Sequence, residues 1–118
     1  MSSSNFTAHL SNVINGVLFS VQGQEQIRVK FTKSLDFFEW QEFSDTLNGM
    51  IRNNYRRWEF NLEHLKRPTS IDIGMWLTCN AKIQNQSGSL KFVVKKESSV
   101  QKVLAVTKLD SILSIEYT

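Results

Sequence analysis

Thr69 and Ser70 stand side by side after Pro68, and Asp72 follows two positions later. Two hydroxyls and a carboxylate at that spacing suit the mouth of a helix. Pro68 interrupts the preceding segment, Thr69 or Ser70 can cap, and Asp72 lies at capping-box distance from Thr69. A helix N-terminus carries unsatisfied N–H groups and a partial positive charge, which favour an anion or a phosphorylated side chain. A phosphate on Ser70 would add about two negative charges to a small surface. The chemistry on offer is therefore that of a modifiable hydroxyl, with Ser70 the first choice and Thr69 the second. The plainer use of these groups is to cap the helix and complement its dipole.

No catalytic set competes with this pair. His9 and His64 are the only histidines, far apart in sequence, and no cysteine or carboxylate cluster joins them at metal-ligand spacing. Neither a metal nor a cofactor is expected. The sequence has no Gly-x-Ser-x-Gly elbow, no lysine-bearing phosphate loop and no dinucleotide fingerprint. A nucleotide hydrolase built on the helix mouth would lack its phosphate cradle. Glu59 and Glu63 would share one face of a strand and read as solvated edge charges. Cys79 is the single cysteine. It falls in an apolar helical pattern and reads as a buried, unreactive thiol, in keeping with a reducing compartment.

The chain has 118 residues, enough for one domain with a real core. Its 41% hydrophobic and 21% charged content is that of a globular protein. The net charge of +3 and pI near 9.2 are mild. The densest basic group is Arg52, Arg56, Arg57, Lys66 and Arg67, but it straddles an expected strand. Nucleic acid is not the expected ligand, while an acidic protein partner stays open. No apolar stretch approaches the roughly 18 residues of a membrane span. The N-terminus lacks the charged start and apolar run of a signal peptide. The expectation is a cytoplasmic domain with no membrane contact, and a frayed tail over residues 1–7.

The hydrophobic period changes repeatedly along the chain. Val17 to Val21 reads as a strand, and Ile27, Val29 and Phe31 alternate with Arg28, Lys30 and Thr32 as its hairpin partner. Phe37, Trp40, Phe43, Leu47, Met50 and Ile51 then recur mostly at three and four residues. That predicts a helix from about Asp36 to Asn53, capped by Asp36 or Ser34. Trp58, Phe60 and Leu62 alternate as a third strand. The helix after Pro68 carries Ile73, Trp76, Leu77, Cys79, Ala81 and Ile83. Met75 and Trp76 lie about 100° apart on it, so both cannot point fully inward. Leu90, Phe92 and Val94 predict a fourth strand, Ser98 opens a short third helix, and Ile112 to Ile115 reads as the last strand. The order is β-β-α-β-α-β-α-β. It predicts a single α/β domain over residues 1–118, with a mixed sheet of about four to five strands and about three main helices.

This order and four local patterns resemble the STAS family, the anti-sigma-factor-antagonist-like domains of bacteria, over about Val17 to Tyr117. The stretch from Ile27 to Phe37 looks like the family's strand, small polar turn and Leu-Asp pair. Phe60-Asn61-Leu62 stands where the family usually has apolar-Asp-Leu. Thr69-Ser70-Ile71-Asp72-Ile73 stands where it often has Asp-Ser-Ser-Gly-Leu. Ser99 to Asp110 is similar to its third helix and following Leu-Thr-Gly-Leu-Asp motif.

The resemblance implies a non-catalytic regulator that binds a partner serine kinase or anti-sigma factor, with a phosphatase as a further partner. It implies that the unphosphorylated form docks and that phosphorylation, carried over by position to Ser70 with Thr69 as backup, releases it. Asp36, Asn61, Thr69, Ile71, Asp72 and Met75 would form the docking face. The alternative is a constitutive docking or scaffold module that is never phosphorylated. The chain departs from the pattern at four positions: Thr69 and Asn61 replace acids, Asp72 and Lys108 replace glycines. A phosphate on Ser70 would be repelled less by positions 61 and 69 and more by Asp72.

Overall fold

The computed structural model describes residues 14–23 and 25–118. The tail expected over residues 1–7, and His9, lie outside the described residues. Strand β1 (Val17–Val21) pairs antiparallel with β2 (Gln26–Phe31). Gly23 supplies the turn at φ 115°, a conformation that a side chain would disfavour. Helix α1 (Phe37–Arg52), β3 (Arg57–Asn61), α2 (Ser70–Asn85), β4 (Ser89–Val94), α3 (Ser99–Val106) and β5 (Ser114–Tyr117) complete the order. The five strands lie side by side as β1-β2-β3-β4-β5, with β2 to β5 mutually parallel. The expected mixed sheet with three helices is what the chain builds.

Strands that follow one another in both sequence and sheet order must cross over in the same sense each time. Right-handed crossovers then put every helix on one face. The burial pattern agrees. Ile27, Val29, Phe31, Trp58, Phe60, Leu90, Phe92 and Val94 point to that face and are buried. Trp40, Phe43 and Leu47 of α1, Trp76, Cys79 and Ile83 of α2, and Val100 and Leu104 of α3 close over them. Phe31 is the hub of the aromatic part, with ring centroids 5.5 Å from Trp40 and Phe43 and 5.2 Å from Phe60. Burial pushes the Cys79 thiol up to about 12, so it is unreactive at neutral pH.

The other face of the sheet has no helix and is mostly polar, with Leu18 and Val93 its apolar residues. Arg28, Glu59 and Lys91 stand in register across β2, β3 and β4. Arg28 Nε lies 2.7 Å from Glu59 Oε2, and Lys91 Nζ lies 3.6 Å from Glu59 Oε1 and 2.9 Å from Glu116 Oε1. Glu59 is therefore not a solvated edge charge. It sits on the central strand, nearly buried between two cations.

Two elements differ in detail from the periodicity. Phe37, expected on the buried stripe of α1, is exposed. It lies about a quarter turn from the middle of the Trp40–Phe43–Leu47 stripe, beyond the reach of the sheet. The last strand begins two residues later than Ile112. A 3₁₀ turn over Leu109–Ser111 intervenes, and Leu109 and Leu113 are the buried pair while Ile112 faces out. Lys108 stands before that turn at φ 62°, the left-handed conformation that the glycine of the resembling motif would suit. Holding a non-glycine residue there costs about 1–2 kcal/mol. The greater freedom of glycine in the unfolded chain offsets about 0.4–1 kcal/mol of that. Lys108→Gly is expected to raise stability by up to about 1 kcal/mol, seen as a higher urea midpoint with an unchanged slope.

Candidate functional site

The C-terminal ends of β2, β3 and β4 gather the loops that lead into the three helices. In parallel sheets this is the edge where sites form. The first loop ends in a capping box. Asp36 Oδ1 accepts the Glu39 N–H at 2.8 Å, and Glu39 Oε1 accepts the Asp36 N–H at 2.9 Å. Asp36 rather than Ser34 is thus the cap of α1. The Ser34 hydroxyl donates instead to the carbonyl of Arg67 and holds the first loop against the second. Lys33 Nζ, 2.7 Å from Glu39 Oε2, steadies the same turn.

The second loop delivers Thr69, which caps α2. Its Oγ1 accepts the Asp72 N–H at 3.2 Å, and Asp72 Oδ2 accepts the Thr69 N–H at 2.9 Å. The other Asp72 oxygen leaves the helix altogether. Oδ1 accepts the Leu35 N–H at 3.1 Å and the Trp40 Nε1–H at 2.9 Å. One carboxylate thereby joins the cap of α2 to the first loop and to the side of α1. Asp72 was expected on the docking face, but it is 1% exposed and faces inward. The reason is that its short side chain satisfies the buried Leu35 and Trp40 donors and the part-buried Thr69 N–H at once.

Ser70 is the first residue of α2 and is exposed. Two residues along a helix is a rotation of about 200°, so an inward Asp72 turns Ser70 outward. A phosphate on Ser70 would therefore project away from the Asp72 carboxylate, which removes the main repulsion expected from sequence. The Thr69 hydroxyl is also exposed but already accepts the capping bond.

At the heads of α1 and α2, which the Asp72 carboxylate joins, three apolar side chains are exposed. Phe38 is 75% exposed, Phe37 58% and Ile71 44%. The two phenylalanine rings meet edge to face with centroids 5.8 Å apart. Asp36, the neighbour of Phe37 in sequence, is also exposed. The other expected contact residues are placed elsewhere. Met75 is half-buried against the core beside the fully buried Trp76. Asn61 follows Phe60 on the strand, so it points to the helix-free face. Its amide Nδ2 donates to Glu63 Oε1 at 3.0 Å, and its Oδ1 accepts the Glu63 N–H at 3.0 Å.

Sequence reasoning missed the Phe37–Phe38 pair and Glu63. A signal for the first existed: adjacent aromatics at the head of a helix cannot both turn inward. Nothing local signalled the second, because Glu63 is held by Asn61 and by the distant Thr118, whose Oγ1 donates to Oε2 at 2.6 Å. Among the described residues no cluster of His, Cys, Asp or Glu could hold a metal ion, and no helix is long and apolar enough to cross a membrane.

No family model and no curated protein matches the sequence. Solved structures do match the fold. SpoIIAA, an anti-sigma factor antagonist, in its unphosphorylated form superposes with a TM-score of 0.73 at 14% identity, covering 86% of this chain and 87% of that one. The Bacillus cell fate determinant SpoIIAA in its phosphorylated form superposes with a TM-score of 0.66 at 13% identity, covering 86% and 90%. TM1081 of Thermotoga maritima, a candidate anti-sigma factor antagonist, gives 0.72 at 19% identity, covering 86% of each chain. The likeness is one of fold. It is the STAS-like fold that the sequence resemblance implied.

Two outcomes test this geometry. Asp72→Asn keeps the size of the side chain but puts an N–H₂ where one set of donors points. It is expected to cost about 2–3 kcal/mol, read as a lower urea midpoint by tryptophan fluorescence. The Thr118 and Asn61 hydrogen bonds hold the Glu63 carboxyl below its ordinary 4.5. Its contribution is present above that value and is lost as pH falls through the lower folded value. Glu63→Gln should then melt lower than wild type at neutral pH, with the difference vanishing in acid below the usual carboxylate range.

Proposed function

We propose that this chain is a non-catalytic regulatory protein of the anti-sigma factor antagonist kind, docking to a partner serine kinase or anti-sigma factor through the face around the head of α2. In this reading Ser70 is the phosphoacceptor and its phosphate releases the partner. The observation that carries the reading is the outward Ser70 hydroxyl at the first position of α2, followed by exposed Ile71, with Phe37 and Phe38 exposed at the head of α1, which Asp72 ties to α2. Asp36 and Thr69 complete the rim. Asp72 and Met75 support the face from beneath, and Asn61 lies outside it. The likeness in fold to SpoIIAA, whose structure is known in both phosphorylated and unphosphorylated forms, supports the same reading. A cytoplasmic location and a phosphatase that resets the switch belong with it.

A second reading rests on the same apolar surface. Exposed aromatics dock a partner whether or not a hydroxyl is modified, so the chain would be a constitutive docking or scaffold module.

Incubation with candidate host kinases and ATP, followed by mass spectrometry, separates the two. A phosphate on Ser70 that disappears in Ser70→Ala, together with partner binding weakened at least about tenfold by Ser70→Asp, supports the switch. Binding that Ser70→Asp leaves unchanged, with no phosphate on Ser70 or Thr69 from any kinase, sinks it in favour of the docking module.

A further inference from the structure

The basic residues singled out by the sequence do not act as one group. Arg28 and Lys91 are matched by Glu59 and Glu116 on the open sheet face. Arg56 turns its guanidinium to the Gln86 carbonyl, with Nη1 donating at 2.7 Å. Arg52 has no ion pair among the described residues, and the fold brings a second cation to it. The C-terminal halves of α1 and α2 flank a groove of about 320 Å³ lined by Asn48, Ile51, Arg52, Lys82, Asn85 and Gln86. It lies at the end of the domain opposite Ser70, since the helices run back from the C-terminal ends of the strands.

Every lining residue except Ile51 has a side-chain N–H donor, and none is a carboxylate. Among the described residues no ion pair reaches Arg52 or Lys82. Lys82 Nζ donates to Ser44 Oγ at 2.6 Å, which anchors the ammonium at the groove wall with donors to spare. A basic residue in the last turn complements a helix dipole, worth about 0.3–1 kcal/mol. That accounts for one cation on each helix. It does not account for two cations meeting in a cleft walled by three amides with no acid between them.

The geometry points to a binding site for a small phosphate monoester in this groove. The phosphate carries about −1.5 to −2 charges and three acceptor oxygens, which match the unneutralised Arg52 and Lys82. The amides of Asn48, Asn85 and Gln86 offer donors and acceptors to a hydroxylated body, and Ile51 gives it an apolar floor. The volume lies at the small end of the roughly 300–1,000 Å³ range of ligand pockets, so the ligand is small. The site is independent of the reading of Ser70.

The test is a titration of ¹⁵N-labelled protein with ribose 5-phosphate at low ionic strength, followed by NMR. Ribose and inorganic phosphate serve as separate arms. Saturable shifts of the Asn48, Asn85 and Gln86 side-chain amides are expected with ribose 5-phosphate, weakened by added salt. Ribose should give none, and inorganic phosphate should bind more weakly than the ester. Arg52→Gln with Lys82→Gln should weaken binding about tenfold or more while the rest of the spectrum stays folded. Asn85→Asp, which adds an acid to the wall, should weaken it too. The absence of saturable shifts overturns the site, as does binding that neither variant alters. Inorganic phosphate binding as tightly as ribose 5-phosphate overturns the assignment to an ester.

Discussion

The Asp72 carboxylate is the constraint on which the candidate site depends. Two oxygens serve three donors from three places: the cap of α2, the backbone of the β2–α1 loop, and the Trp40 indole on α1. An unmade hydrogen bond to the buried Leu35 or Trp40 donor would cost about 1–3 kcal/mol. The arrangement therefore has little freedom to drift. It sets the rotation of α2 about its axis, and with it the direction of every side chain in the first turn. Ser70 points out because Asp72 points in. Ile71, about 100° from each, is left at the surface beside the head of α1. Phe37 and Phe38 head α1, which the same carboxylate ties to α2.

Charge is distributed unevenly over the rest of the surface. On the helix-free face, Arg28, Glu59, Lys91 and Glu116 alternate in sign across neighbouring strands and pair in place. The exposed Lys91–Glu116 pair contributes little to stability. The larger effect of these pairs is to hold Arg28 and Lys91 in place on that face. Exposed apolar side chains stand at the heads of α1 and α2, and also at Val106 and Ile112, while Arg52 and Lys82 share a groove at the opposite end, between the ends of α1 and α2. The two ends are separated by a packed aromatic core around Phe31 and Phe60, with little room for either to disturb the other.

The fold was legible because each element carries its own period. Ile27, Val29 and Phe31 alternate, Trp40, Phe43 and Leu47 recur at helical spacing, and Pro68 and Thr69 mark where the second helix starts. The cap at Thr69 with Asp72 was readable too, since a capping box is local. What Asp72 does with its second oxygen was not. Its partners Leu35 and Trp40 lie 37 and 32 positions away, and no local pattern encodes a contact at that range. Phe37 misled for a related reason. Apolar residues at helical spacing predict burial only where another layer covers them, and the first turn of α1 projects past the sheet. The delay of the last strand has the same origin: Leu113 rather than Ile112 meets the core, which the run Ile112-Leu113-Ser114-Ile115 cannot reveal alone.

The geometry also decides how a phosphate at Ser70 would act. At the first position of α2 it would gain about 0.3–1 kcal/mol from the helix dipole. That is too little to hold the phosphate in a fixed place or to rearrange a turn tied down by Asp72. A change of shape is therefore a poor mechanism for this chain. Solvation is a better one. A docked partner would cover Phe37, Phe38 and Ile71 and would have to take the adjacent dianion out of water, at several kcal/mol unless it supplied cations of its own. Under the proposed switch, an apolar surface bordering a phosphorylated Ser70 would convert the chemical state of that hydroxyl into a difference in affinity, while the backbone of the domain would stay where the buried carboxylate holds it.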